Sequence, residues 1–156
     1  DQEVRTTLEK FMTKHEAWNQ PRIKNRCFSH NDYRVDNMLF LNDKITVVDW
    51  QTSNYLGAGM DAAYFLGSAL PRATRRSVEQ ELLKIYHEAL ITEGVQAYSF
   101  EELVADYCHY TFAAAIVAIT ATVIVKKTER GDRLFKKMVS DSIYQAIDND
   151  ALDLLV

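Results

Sequence analysis

His30-Asn31-Asp32-Tyr33-Arg34-Val35-Asp36-Asn37, followed by Val48-Asp49-Trp50, is the stretch on which the reading of this chain turns. Between the two segments, Met38 to Leu41 and Ile45 to Val48 are apolar runs of strand type, and Asn42-Asp43-Lys44 has the chemistry of a hairpin turn. A hairpin there brings Asp49 back beside Asn37 without any long-range assumption. Asp32 and Asn37 close the two ends of a tight loop. Taken singly, Asp32, Asp36 and Asn37 read as turn residues and Asp49 as a strand end. Taken in order, with a hairpin between them, they read as oxygen donors gathered where a rigid scaffold presents functional groups.

Outward from the hairpin the period becomes helical. Glu3 to Trp18 places Val4, Leu8, Phe11, Met12 and His15 at helical spacing, and Pro21 blocks continuation. Cys27-Phe28 reads as a short strand, and Leu56-Gly57-Ala58-Gly59 as a loop. Asp61 is expected to cap a short apolar helix, Ala62 to Leu70, that ends at Pro71. An amphipathic helix follows from Thr74 or Ser77 to Thr92, with Val78, Leu82, Ile85, Tyr86 and Ala89 on its inner face and Gly94 beyond its end. Ser99 and Glu102 form a capping box for a helix reaching about Val125. The last helix spans Asp132 to Ile147, with Leu134, Met138 and Ile143 inward. The expected fold is therefore one α+β domain over residues 1–156, mostly α-helical, with a small β-hairpin near its N-terminal end.

The bulk properties fit this outline. The chain has 156 residues, 47% apolar and 26% charged, enough for one domain with a core. A net charge of -4 gives no basic face for nucleic acid. Cys27 and Cys108 do not make a disulfide framework, which points to a reduced, cytoplasmic setting, and no signal peptide is visible. Phe112 to Val125 is a continuous apolar and threonine run, shorter than the roughly 20 residues a bilayer span needs, so it reads as a core helix and no membrane partner is expected.

Phosphoryl transfer needs a carboxylate to orient the attacking hydroxyl and oxygen ligands for the Mg²⁺ that bridges the phosphates. Asp32 suits the first task, and Asn37 and Asp49 suit the second, since Mg²⁺ prefers hard oxygen donors. The segment from Phe28 to Leu70 resembles the C-terminal lobe of the aminoglycoside phosphotransferase and choline kinase-like family. The family's loop H-[GN]-D-x-x-x-x-N is matched by His30 to Asn37, and its D-[WF]-[EQ] segment by Asp49-Trp50-Gln51. Gly57, Gly59 and Asp61-Ala62-Ala63-Tyr64-Phe65-Leu66 resemble the family's next loop and helix start. The resemblance implies a kinase-like fold and transfer of the γ-phosphate of ATP, or GTP, to a small-molecule hydroxyl with Mg²⁺. It implies Asp32 as the base, Asn37 and Asp49 as metal and nucleotide ligands, His30 as a brace of the loop and Arg34 as a partner of the transferred group. It also implies a hydrogen bond from the catalytic loop to Asp61.

Asn31 replaces the glycine common in the aminoglycoside group; Asn tolerates φ > 0, so this is not read as inactivation. Nothing before residue 27 offers a Gly-rich turn or a strand lysine, so the N-terminal, ATP-binding lobe is expected to be missing and the chain alone to turn over little. Surface bared by that lobe would favour a homodimer. The alternative function is a free-standing binding module without catalysis. A two-His-one-carboxylate iron site from His30, Asp32 and His109 is a further rival, disfavoured by the scarcity of strands. His87 reads as a packed or surface residue. Glu79, Glu81, Glu88, Glu101, Glu102 and Asp106 read as a solvated face that would at most attract a cationic substrate, and Tyr107, Tyr110 and Phe112 as core.

Overall fold

The computed structural model describes residues 1–20 and 25–155. In chain order the elements are α1 (Gln2–Trp18), β1 (Arg26–Ser29), β2 (Met38–Leu41), β3 (Lys44–Val47), β4 (Asn54–Gly57), α2 (Gly59–Ala69), α3 (Arg72–Thr92), α4 (Phe100–Tyr110), α5 (Ala113–Ile124) and α6 (Glu129–Asp148). The architecture is α+β and mostly helical, as the sequence periods imply. Pro21, read as the block that ends the first helix, lies outside the described residues.

The strands form two antiparallel pairs, one inside the other. β1 pairs with β4, Ser29 opposite Asn54, and β2 pairs with β3, Met38 opposite Val47. The connecting loop 30–37 runs from the outer pair to the inner one, and loop 48–53 runs back from the inner pair to the outer. Each is therefore tied at both ends to a residue paired with its counterpart in the other loop, which holds the two side by side. β4 corrects the reading of Leu56 and Gly57 as loop, while Ala58 is a turn and Gly59 already starts α2: glycine is poor in strands by itself, but β1 supplies a ladder from a distant part of the chain. The inner hairpin turns at Asn42, whose φ of 51° is a left-handed conformation that Asn tolerates.

Below the strands the helices bury one large hydrophobic cluster and a smaller one of Ala58, Tyr98 and Leu103. Phe11 of α1 stacks on Phe112 at 4.1 Å between ring centroids, and Phe11, Leu103, Tyr107, Ala115, Ala118 and Ile143 are fully buried. The capping box of Ser99 and Glu102 is present at the start of α4. The helix expected from Ser99 to Val125 is two helices, because α6 intrudes on its backbone ladder. Ser142 Oγ donates to Thr111 O at 2.5 Å and accepts from Ala115 N–H at 3.1 Å, in place of the usual intrahelical bond. By length and composition alone Phe100–Ile124 would suffice to cross a membrane; in the fold, most of α4 and the first turns of α5 are core.

α3 corrects a face. It begins at Arg72, directly after Pro71, whose fixed φ suits a helix start. Leu82 and Ile85 are exposed, and the buried positions are Arg75, Glu79 and Leu83. Arg75 Nη1 bonds Glu79 Oε2 at 2.5 Å and Arg75 Nη2 also bonds Asp148. Arg72 grips Asp148 with two nitrogens, Tyr107 donates its hydroxyl to Glu79 at 2.5 Å, and Asn149 donates to Glu79 at 3.1 Å. A hydrophobic-face rule cannot find a helix whose inner face is charged and mutually paired.

Gly59 at the start of α2 is required by a close approach: a Cβ there would lie 2.3 Å from the backbone N of Tyr107 in α4. Gly59→Ala is expected to destabilise the fold by about 3 kcal/mol, the upper part of the overpacking range, because backbone rather than a flexible side chain must yield. Urea unfolding of the two proteins measures this, and an unchanged midpoint would contradict the close packing of α2 on α4.

Candidate active site

The loop 30–37 is built around His30 and Asp61. His30 is buried. Its Nδ1 accepts from Asp32 N–H at 3.3 Å, and its Nε2 lies 2.8 Å from Val48 O. The two contacts together require the neutral tautomer with the proton on Nε2, donating to Val48 O. His30 thus ties the two loops together and has no ring nitrogen left for proton transfer or for a metal. Asp61 sits inside the first turn of α2, not at its cap, which Ala58 occupies. Its carboxylate accepts from His30 N–H at 2.7 Å and from Asn31 N–H at 2.9 Å. Those bonds and the φ of 67° at Asn31 bend the chain into the loop. Thr52 joins from the other side: its hydroxyl donates to His30 O at 3.1 Å, and its carbonyl accepts from Asn31 Nδ2 at 3.2 Å.

Asp32 is held at both oxygens. Asn37 Nδ2 donates to Asp32 Oδ2 and to Asp32 O, each at 2.9 Å. Arg34 Nε lies 3.4 Å from Asp32 Oδ1, an ion-pair contact, and Arg34 Nη1 lies 3.3 Å from Asp36 Oδ2. The Arg34 side chain is largely covered, so it is a bridge between two carboxylates rather than a solvent-facing loop arginine. Asp32 keeps partial access to solvent.

Asn37 is buried at the end of a short 3-10 turn. Because its amide nitrogen is committed to Asp32, its Oδ1 is the atom left to bind a cation. Val48 N–H donates to Asn37 O at 2.9 Å, so Asn37 lies opposite the residue before Asp49. Asp49 adopts the left-handed conformation, φ 67° and ψ 53°, and starts the second loop. Its neighbour Trp50 packs over His30 with centroids 4.7 Å apart and donates its indole N–H to Val47 O at 3.0 Å. The donor set available to a cation is an amide oxygen and carboxylates, which suits Mg²⁺. Among the described residues no group of three or more His, Cys, Asp and Glu gathers as a metal cage. A site with two protein oxygens, completed by phosphates and water, is the mode Mg²⁺ favours. The three-residue iron site is not formed: both His30 ring nitrogens are engaged, and His109 stacks on Trp18 at 5.6 Å.

Tyr64 is a site residue that sequence reasoning missed. It is buried in α2, and its hydroxyl has no hydrogen-bond partner among the described residues. Burial first, and then the nearby charge of Asp32, push its phenol far above the ordinary tyrosine value. The signal was available: Tyr64 follows Asp61 by three residues and so shares its helix face. The weaker candidates go to structure. His87 Nε2 lies 2.9 Å from Tyr98 O, Asp106 accepts the hydroxyl of Tyr98 at 2.9 Å, Glu102 completes the capping box and Glu79 belongs to the buried network.

A cleft of about 270 Å³ opens beside Asn31, walled by Trp18, Tyr55, His109 and Tyr110 and floored by Met60 and Ile116. Arg26 is its one fully charged lining residue among those described, and no carboxylate lines it.

Residues 12–150 match the model of a family described as Uncharacterized oxidoreductase dhs-27. No curated protein and no solved structure matches the chain. The family match overturns the assignment to the aminoglycoside phosphotransferase and choline kinase-like family, and with it the classification of the chain as a kinase of that family and as a member of its ATP-binding group. The resemblance rested on short motifs between Phe28 and Leu70, whereas the family match spans residues 12–150.

Proposed function

The chain belongs to the family described as Uncharacterized oxidoreductase dhs-27, and we propose that its site transfers a phosphoryl group from a Mg²⁺-bound nucleoside triphosphate to the hydroxyl of a small molecule. One observation carries this reading: Asn37 uses its amide nitrogen to fix Asp32 at 2.9 Å while its oxygen remains for a cation. In our reading the loop, hairpin and second loop on a helical base are organised as in kinase-like phosphotransferase lobes. Asp32 orients the attacking hydroxyl and receives its proton. Arg34, held against Asp32 and Asp36, supplies positive charge next to the transferred group. Asn37 and Asp49 would hold Mg²⁺, which when bound neutralises phosphate charge. His30, Asp61 and Thr52 keep the loops in register.

The family's description speaks of an oxidoreductase. The stretch Gly57-Ala58-Gly59-Met60-Asp61-Ala62, from the last residue of β4 into the start of α2, has the spacing of a dinucleotide-binding turn. Its glycines serve another purpose. A Cβ at Gly57 would meet the Tyr110 ring at 2.9 Å, and one at Gly59 would meet α4 backbone at 2.3 Å. The turn faces α4, which leaves no room for a pyrophosphate. The strand before it is antiparallel to its partner, and α2 leads to α3 rather than to a parallel strand. For these reasons we place the chemistry at Asp32. The carboxylate-free aromatic cleft beside Asn31 favours an acceptor with a flat, uncharged body over a polycation.

The test is label transfer from a γ-labelled nucleoside triphosphate to a panel of hydroxyl compounds, using the full-length protein with Mg²⁺. Transfer is expected, and Asp49→Asn is expected to weaken Mg²⁺-dependent nucleotide binding by roughly 100-fold, at least the cost of losing a group that supports a metal ligand. Nicotinamide-dependent turnover of the same panel without label transfer would overturn the proposal in favour of the chemistry in the family's description.

A further inference from the structure

The C-terminal end of α5 departs from the rest of the surface. Val123 is 84% exposed, Ile124 77% and Val125 55%. These three consecutive aliphatic residues end a helix whose first turns are core. Directly after them, residues 126–137 carry Lys126, Lys127, Arg130, Arg133, Lys136 and Lys137 against only Glu129 and Asp132. That is a local excess of four positive charges in a chain whose net charge is -4.

The fold brings the two features together. A trough of about 780 Å³ runs between α5 and α6, with Ile119, Val125, Phe135 and Val139 as its apolar lining and Lys126, Lys127 and Lys136 along its rim. The acids at the trough are Asp1 and Asp132. Asp132 lies 3.8 Å from Lys127, Glu129 lies 4.0 Å from Arg133, and Asp141 pairs with Lys137. Lys126, Arg130 and Lys136 have no carboxylate partner among the described residues.

We infer that this end of the molecule docks on an anionic lipid surface, with Val123, Ile124 and Val125 entering the headgroup boundary and the basic segment 126–137 meeting lipid phosphates and carboxylates. Exposed aliphatic side chains alone would suit any apolar partner. Lys126 and Lys136, at the rim of the same trough and without a carboxylate partner among the described residues, select a surface that is apolar within and negative at its edge, which describes the boundary of a bilayer rich in acidic lipids. Monomeric proteins rarely leave such patches uncovered. This is peripheral attachment by one end, distinct from a spanning helix, and it departs from the expectation that the chain has no membrane partner.

Flotation of the full-length protein with vesicles tests it. Vesicles of phosphatidylcholine with about one third phosphatidylserine are expected to carry the protein upward, and pure phosphatidylcholine vesicles are not. Binding is expected to collapse at about 0.5 M salt, where surface charges are screened. Lys126→Glu with Lys136→Glu should abolish it, and Val123→Ser with Ile124→Ser should weaken it roughly tenfold by removing the inserted aliphatic groups. All four positions are at the surface, and unchanged circular dichroism separates loss of docking from loss of fold. Absence of flotation with acidic vesicles, or equal flotation with both kinds, would overturn the inference. So would concentration-dependent self-association that Val123→Ser with Ile124→Ser removes, because the patch would then be covered by a second copy of the chain.

Discussion

Asp32→Asn is expected to lower the rate of phosphoryl transfer by about three orders of magnitude, within the span seen when a positioned base is lost. An amide keeps the size of the carboxylate and retains an oxygen that accepts the bond from Asn37 Nδ2, now 2.9 Å from Asp32 Oδ2. It cannot receive the proton of the attacking hydroxyl. Nucleotide affinity should stay within about threefold of the parent, since the interaction lost is one made only in the transition state. The melting temperature should hardly move, because Asp32 is partly solvated and the loop is fixed by His30 and Asp61 rather than by its charge. Single-turnover label transfer with saturating nucleotide reads the first effect, and equilibrium binding the second. A variant with the parent's rate would remove Asp32 from the chemistry and with it the proposed function.

Arg75→Met is expected to cost about 4 kcal/mol, the penalty for orphaning one member of a buried ion pair. For a chain of this size that corresponds to a fall of about 10 °C in Tm. Arg75 has almost no exposure; among the described residues its guanidinium is the only cation paired with Glu79, and of the three arginines that reach Asp148 it alone is buried. The double variant Arg75→Met with Glu79→Leu should recover part of the loss, since removing both charges avoids a naked carboxylate. Asp148 adds a pH signature. Burial by itself raises its carboxyl, but the bonds from Arg72 and Arg75 outweigh it and hold the group below the ordinary range. A carboxyl depressed in the folded state stabilises the protein above its unfolded value of about 3.9, and that contribution is lost as pH falls through the lower folded value. Asp148→Asn should therefore be less stable near neutrality and flatter in its acid limb. Melting curves between neutral pH and about pH 2 compare the two proteins, and parallel curves would remove Asp148 from the acid response.

Legibility followed the range of the interactions. The hairpin at Asn42, the capping box of Ser99 and Glu102 and the approximate spans of most helices rest on residues within a few positions of one another. β4 was hidden because Asn54 to Gly57 is a poor strand until β1 lies beside it. The break at Thr111 was hidden because Ser142, on another helix, causes it. The inner face of α3 was misread because Arg75 and Glu79 look like surface residues until Asp148, Tyr107 and Asn149 surround them. At the site, Asp32, Asn37 and Asp49 stood out by spacing; Tyr64 was signalled only by the helix face it shares with Asp61, and nothing local ties Thr52 to His30.

By itself, the sequence determined which side chains carry oxygen donors, where the chain must turn between them, and the mostly helical α+β class. Those follow from local geometry and from the chemical nature of each residue. Tertiary structure decided that His30 is a neutral brace with both ring nitrogens engaged. It decided that Asp61 binds the loop rather than capping its helix, and that Gly57 and Gly59 lie in close contact with α4. Each of those outcomes depends on which distant group arrives within hydrogen-bond or van der Waals reach, and only the packed chain sets that.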